Sequence, residues 1–348
     1  MEEQLRQMII KNAMAGGKGI GLLRGDMGIC LSLYMLSDHG KYPEAEGLAD
    51  IMLEKIIKGV NNSLDISFDK GITGIGFAIN FLHQSKYLLG DIDDILYDID
   101  TILYKKLCSG KTNLNLEWTN GYLGYMLYLV SRLGNLQHNH NTIIHKTDEY
   151  ILKQIINILC QKMPMHFNMM SKELYASLSW KFPILFYCLG KTVELGISTE
   201  QIKCVLNEWM FFICSTIPHY NINRLALANS LTYLNKQVNS KELDSYVNML
   251  KYSVDVEAVT NEFEYDINCI NYGWLYCLFC LSVSIKLFDD KKLKLKKQMI
   301  WNTFYQNYKS MLNRTESGEL DVTFMSGLSG VAFLYKFFPF MFEGNMDY

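Results

Sequence analysis

Pairs of glycines three residues apart, each followed at once by an apolar stretch, recur along this chain. Gly25-Asp26-Met27-Gly28 leads into ICLSLYML, and Gly71-Ile72-Thr73-Gly74 into IGFAINFL. Gly121-Tyr122-Leu123-Gly124 leads into YMLYLVSRL, and Gly327-Leu328-Ser329-Gly330 into VAFLYKFF. A period of roughly fifty residues is that of a repeat architecture, in which one unit cannot bury its own apolar face. Glycine at a helix start also lets a neighbouring backbone or a ligand come close.

Between the glycine steps run amphipathic helices. Over 91–108, Ile92, Ile95, Leu96, Ile99, Ile102, Leu103 and Leu107 share one face, with acids in the first turn and Lys105 and Lys106 in the last. The same pattern predicts helices over 44–60, 148–160, 199–214, 240–254 and 292–312, with Ser198 and Gln201 as a capping box. The stretches behind the glycines differ. Ile29 to Leu36 has Ser32 as its one obviously polar residue, and Trp274 to Val283 has Ser282. Helices apolar nearly all round are buried all round. Each unit is thus a buried inner helix paired with a half-exposed outer one.

Three further units lack the full glycine pair. Asn271-Tyr272-Gly273 keeps the first glycine, Ser179-Trp180-Lys181-Phe182-Pro183 precedes ILFYCLG, and the segment Asn221 to Ala226 precedes LANSLTYL. Seven units then open near positions 25, 71, 121, 180, 223, 273 and 327. An open solenoid ends in polar capping repeats, yet the first and last units here are as apolar as the middle ones. A closed ring covers both ends. The expectation is an all-α, α/α toroid of seven inner and seven outer helices, a single domain over 1–348, with little β structure.

The formal net charge of −3 gives no electrostatic footprint for nucleic acid. The one basic run, KKLKLKK from Lys291 to Lys297, reads as a solvated helix face. No stretch is long and apolar enough for a membrane span, and MEEQLRQMIIKNAMAGG has no signal-peptide pattern. Nine cysteines, an odd number lying mostly in helical patterns, fit reduced thiols in a cytoplasmic protein.

The glycine steps with their helices, RGDMGICLSLYML, SFDKGITGIGFAINFL, WTNGYLGYMLYLVSRL and SGLSGVAFLYKFF, resemble the repeats of the lanthionine synthetase C-like family, the cyclases of lanthipeptide biosynthesis. The resemblance implies a toroid in the maturation of a ribosomal peptide. In that family a cysteine before the fifth inner helix and a Cys-His pair, followed by glycine, before the sixth hold a zinc ion. Its open fourth position takes a peptide thiolate, which adds to a dehydrated residue. A histidine in the fourth unit is an acid/base candidate. Here these positions fall on Asn221, on Asn271-Tyr272-Gly273 and on Ser179. The resemblance therefore implies a protein without the usual zinc site, and no cofactor is expected. Glu117 lies where family members tend to carry an acid.

The resulting expectation is a non-cyclising scaffold that binds a precursor peptide or a maturation enzyme. The glycines Gly25, Gly28, Gly71, Gly74, Gly121, Gly124, Gly273, Gly327 and Gly330 would gather at one cavity mouth. Two alternatives stand beside it. One is a thioether cyclase with Glu117 or Tyr272 as base, using no metal or one relocated to Cys269, Cys277 and Cys280. The other is a carbohydrate-active toroid drawing acid and base from Asp26, Asp69, Glu117 and Asp321. For the cysteines the packing reading is preferred, and for the acids the helix-dipole reading. His138, His140 and His145 read as a polar loop, and His39, His83, His166 and His219 as structural or exposed residues.

Overall fold

A computed structural model describes residues 2–13, 19–108, 115–135, 143–172, 176–262, 270–271, 273–314 and 321–337. They form fourteen α-helices and, among the described residues, no strand: α1 (Glu2–Ala13), α2 (Asp26–Ser37), α3 (Pro43–Gly59), α4 (Ile72–Gln84), α5 (Ile92–Cys108), α6 (Tyr122–Leu133), α7 (Ile143–Lys162), α8 (Lys181–Glu194), α9 (Thr199–Cys214), α10 (Asn221–Val238), α11 (Lys241–Tyr252), α12 (Trp274–Phe288), α13 (Lys291–Arg314) and α14 (Leu328–Phe337). The even-numbered helices are the predicted inner seven, and the odd-numbered ones the outer seven.

Two compact units divide the chain: Met1–Lys146 with Lys309–Glu343, and Thr147–Tyr308 with Gly344–Tyr348. In the first, α14, α2, α4 and α6 are neighbours in that order, with α1 and α3 against α2 and α5 against α4. In the second, α10 lies between α8 and α12 and is backed by α11, while α9 packs on α8 and α11.

Every residue of α2 is buried, as its apolar sequence demands. Its polar Ser32 Oγ donates to the Ile29 carbonyl at 2.8 Å and meets Ser329 Oγ of α14 at 2.9 Å. The second glycine of each step explains the close approach of successive inner helices. A methyl on Gly28 would lie 2.5 Å from Phe324 Cβ, one on Gly74 2.9 Å from Leu22 Cβ, and one on Gly124 2.9 Å from Phe68 Cβ. Leu22, Phe68 and Phe324 all stand three residues before their own glycine step. In these three contacts one repeat seats this residue on the bare helix start of the next.

The fully buried Arg132 guanidinium links α5 to α6. Its Nη2 bonds Asp93 Oδ1 at 2.7 Å and Asp100 Oδ2 at 3.2 Å, and Tyr128 Oη also donates to Asp100.

Two local predictions change. Ser198 has a left-handed backbone (φ +50°) and makes no capping hydrogen bond, while Gln201 Nε2 donates to Asn157 Oδ1 of α7 at 2.6 Å. The serine that does cap is Ser240, whose Oγ accepts from the Leu243 N–H at 3.3 Å. The fifth inner helix also starts earlier than its apolar run, at Asn221. Glu262 supplies acceptors for the first N–H groups there, from 41 residues away in sequence.

Candidate functional site

The segments leading into α2, α4, α6 and α14 share elements of one design. In three of them the residue six before the first glycine turns the chain through its side chain and then caps the helix through its carbonyl. Asp65, Asn115 and Asp321 accept with Oδ1 from the N–H two residues on, at 3.3, 2.9 and 2.8 Å. Their carbonyls accept from Ile72, Tyr122 and Leu328 N–H at 2.9, 3.0 and 3.0 Å. Gly19 does the carbonyl half of this job for Asp26 at 2.8 Å.

The residues two before the glycines join backbone to backbone. Met325 N–H donates to the Leu23 carbonyl at 2.8 Å, Leu23 to Asp69 at 3.0 Å, and Asp69 to Thr119 at 2.9 Å. In the second unit Leu178 N–H donates likewise to the Asn271 carbonyl at 2.7 Å.

This framework assigns roles to the acids. Asp321 is exposed, and its Oδ1 also accepts from Thr323 Oγ1 at 2.6 Å. Since Asn115 holds the equivalent position, that role needs no charge. Asp69 is buried and paired with Arg24, whose Nε lies 3.2 Å from Oδ1. Asp26 is buried and bonded by Lys55 Nζ at 3.1 Å. Glu117 is half-buried, and its N–H donates to Asn115 Oδ1 at 2.9 Å.

The glycines fall into two kinds. Gly25, Gly71 and Gly121 cap α2, α4 and α6 with extended backbone. Gly273 caps α12 at φ +84°, a conformation that favours glycine. A methyl on Gly327 would meet Asp321 at 2.7 Å from Oδ1, and Gly330 is buried in α14.

The positions that resemblance assigns to metal ligands carry a hydrogen-bonded cluster instead. Asn271 Oδ1 accepts from Ser177 Oγ at 3.0 Å and from Ser179 Oγ at 2.8 Å. Ser177 Oγ in turn accepts the Ser179 N–H at 3.0 Å. Two separated stretches of sequence, one before α8 and one before α12, are thereby pinned together. Ser177 has no counterpart among the sequence candidates; its one signal was the Ser-x-Ser spacing ahead of an inner helix.

The Asn221 carboxamide oxygen is saturated. Its N–H and Nδ2 donate to Glu262 Oε1 at 2.6 and 2.7 Å, and Ile222 N–H donates to Glu262 Oε2 at 3.0 Å. Its Oδ1 accepts from Asp255 N–H at 2.8 Å and Arg224 Nη1 at 3.2 Å. The Glu262 carboxylate thus sits where a helix N-terminus favours negative charge.

Tyr272, Cys269, His138 and His140 lie outside the described residues. Cys277 and Cys280 are buried, reduced and on the same helix. Burial pushes the Cys280 thiol up to about 12, and burial followed by the neighbouring Cys280 raises Cys277 well above the ordinary thiol value. Burial thus favours the neutral thiol in the metal-free protein, as the packing reading of the two cysteines expects.

Zinc is the metal that the resemblance implies, and the described side chains at these positions do not fit it. Zinc takes sulfur, imidazole nitrogen or carboxylate oxygen. Ser179 and Asn271 supply neutral oxygens already engaged with each other, and the Asn221 carboxamide oxygen already accepts two hydrogen bonds. Among the described residues no group of three histidine, cysteine or acidic side chains is placed to hold a metal ion.

With repeated helix pairs and cross-linked inner-helix starts on view, the chain is of the all-α, α/α toroid class. Nisin cyclase has a similar structure over 97% of this chain and 94% of its own, with a TM-score of 0.69 and 15% sequence identity. Residues 18–179 match the family model described as lanthionine synthetase C-like protein. Over those residues the chain is similar to the lanthionine synthetase C-like family, and over nearly its whole length it shares the fold of nisin cyclase. No curated protein matches it.

Proposed function

We propose that this protein serves lanthipeptide-type maturation as a zinc-free, non-cyclising member of its family that binds a precursor peptide or a maturation enzyme. The observation that carries the reading is the Ser177–Ser179–Asn271 cluster, which puts mutual hydrogen bonds where relatives are expected to hold metal ligands. A site of hydroxyl and carboxamide groups has no means of turning a peptide thiol into a bound thiolate. It can still hold a peptide by directed hydrogen bonds. No helix among the described residues is long and apolar enough to cross a membrane. The free thiols of the seven cysteines whose side chains are described support a reducing, cytoplasmic setting.

The acids do not favour the carbohydrate reading, since Asp26 and Asp69 are ion-paired and Asp321 holds a turn. The test combines metal analysis with a product assay. Purified protein is expected to carry far less than one zinc per chain, and to leave every dehydrated residue of a precursor open to thiol trapping while still binding that peptide. Stoichiometric zinc, or thioether rings formed in the incubation, would overturn the proposal.

A further inference from the structure

α13 buries one side and leaves the other bare. Leu293, Lys296, Ile300 and Phe304, at helical steps of three and four residues, are each no more than 4% exposed. Lys296 is held there by Glu257, whose carbonyl and carboxylate each accept from Nζ at 3.1 Å. On the outward side Leu295 is 69% and Met299 58% exposed. Lys291, Leu295 and Met299 follow one another at four-residue steps, and Lys292 lies three residues before Leu295, so the four share one surface.

This surface is basic. Lys291, Lys292 and Lys294 are exposed, as is Lys286 near the end of α12. Lys294 Nζ pairs with Asp289 at 2.5 Å, while Lys291 and Lys292 form no ion pair with a described residue. Asp290 spends Oδ1 on the N–H groups of Lys292 and Leu293, at 2.8 and 3.3 Å. Lys251 of α11 adds a cation beside the end of α12, with Nζ 4.8 Å from the Phe288 ring centre.

We infer that the outward side of α13 is a docking surface for an anionic lipid membrane. Lysine stems are long enough to carry their charges to headgroup phosphates while Leu295 and Met299 enter the acyl boundary. An acidic peptide helix is the competing partner, but it needs a groove to cover its apolar stripe. Leu295 and Met299 project from the side of a single helix instead, a shape that matches a flat lipid surface. No described helix is long and apolar enough to cross a membrane, so the contact is peripheral. The inference does not depend on the function proposed above.

For the test, full-length protein is sedimented with vesicles of phosphatidylcholine alone, or of phosphatidylcholine and phosphatidylserine in equal parts. Binding is expected to the mixed vesicles only, and should fade as salt approaches about 1 M, where the screening length is about 3 Å. Lys291→Gln with Lys292→Gln should weaken it about 25-fold, or about fivefold for each lysine. Leu295→Ser with Met299→Ser should weaken it about tenfold through lost apolar contact. Lys58→Gln with Lys105→Gln makes the same charge change on exposed side chains of α3 and α5, and should leave binding unaltered. Circular dichroism checks that each variant is folded.

Protein that stays in solution with mixed vesicles at low salt overturns the inference. So does equal binding to neutral and mixed vesicles, or an equal loss in the α13 and the α3–α5 lysine variants. Protein that ignores both vesicles but binds an amphipathic peptide of glutamate and leucine through Lys291 and Lys292 also overturns it, and assigns the surface to a protein partner.

Discussion

Ser179 Oγ donates a 2.8 Å hydrogen bond to Asn271 Oδ1, joining residues 92 positions apart. Each stands just before an inner helix, where the resemblance assigns a histidine and a cysteine. The two segments meet through this bond. Ser177 completes the join by donating to the same oxygen and accepting the Ser179 N–H. Ser177→Ala removes both bonds and is expected to lower stability by about 1–2 kcal/mol, read from the denaturant midpoint. An unchanged midpoint would show that the cluster is not a structural join.

The glycine steps predict a sharp contrast within one residue type. Gly74→Ala puts a methyl against Leu22 Cβ and the Phe68 backbone, where neither neighbour has a flexible end to yield. Overpacking of that kind should cost about 1–3 kcal/mol or more. Gly47, in α3, has nothing within 4 Å of the added carbon. Gly47→Ala should therefore stabilise the protein by up to ~1 kcal/mol through helix propensity. Equal thermal shifts for the two variants would refute the packing role of the step.

Asp321 was a carboxylate candidate on sequence grounds, and its partners make it a turn residue. Asp321→Asn should stay within about 0.5 kcal/mol of wild type, as Asn115 already does this job in the third repeat. It should also leave precursor binding unaltered. Loss of binding in a folded Asp321→Asn protein would return the carboxylate to the candidate list of functional groups.

Arg132 is buried with Asp100 and bonds Asp93 as well. Arg132→Ala strands a buried carboxylate and should cost about 3–5 kcal/mol in chemical denaturation. A loss below about 1 kcal/mol would place this network with surface ion pairs, whose contribution is small.

Stability should also fall in alkali. Burial raises the Cys280 thiol from 9.0 in the unfolded chain to about 12, so the folded state keeps its proton longer. The contribution is fully present below pH 9 and is lost between pH 9 and about 12, as the unfolded chain alone ionises there. The slope is about 1.4 kcal/mol per pH unit for each such thiol. Cys277, Cys188 and Cys30 are raised by burial in the same direction. Denaturant midpoints from pH 8 to 11 should decline, and less steeply in Cys280→Ala.

The helices were legible to different degrees. Those behind Gly25, Gly71, Gly121, Gly273 and Gly327 start within one residue of the glycine, because a buried helix announces itself by unbroken apolarity and the glycine by steric need. The start of α10 was not legible. Asn221 to Ala226 look like a polar lead-in, and the carboxylate that lets them begin the helix is Glu262, from a distant segment. The acids were readable as helix-start residues but not as partners: that Asp69 faces Arg24 and Asp26 faces Lys55 follows from packing between repeats.

The sequence by itself determined the helical class, the repeat and the residue types at the Asn221, Asn271 and Ser179 positions, because periodicity, glycine sterics and side-chain chemistry are local properties. Only the tertiary structure decided that Ser177 and Ser179 share one acceptor on Asn271, that the Asn221 carboxamide bonds Glu262 and Asp255, and which acids are paired. A hydrogen bond depends on positions in space accurate to a few tenths of an ångström. Residues tens of positions apart reach such positions only once the helices between them have packed.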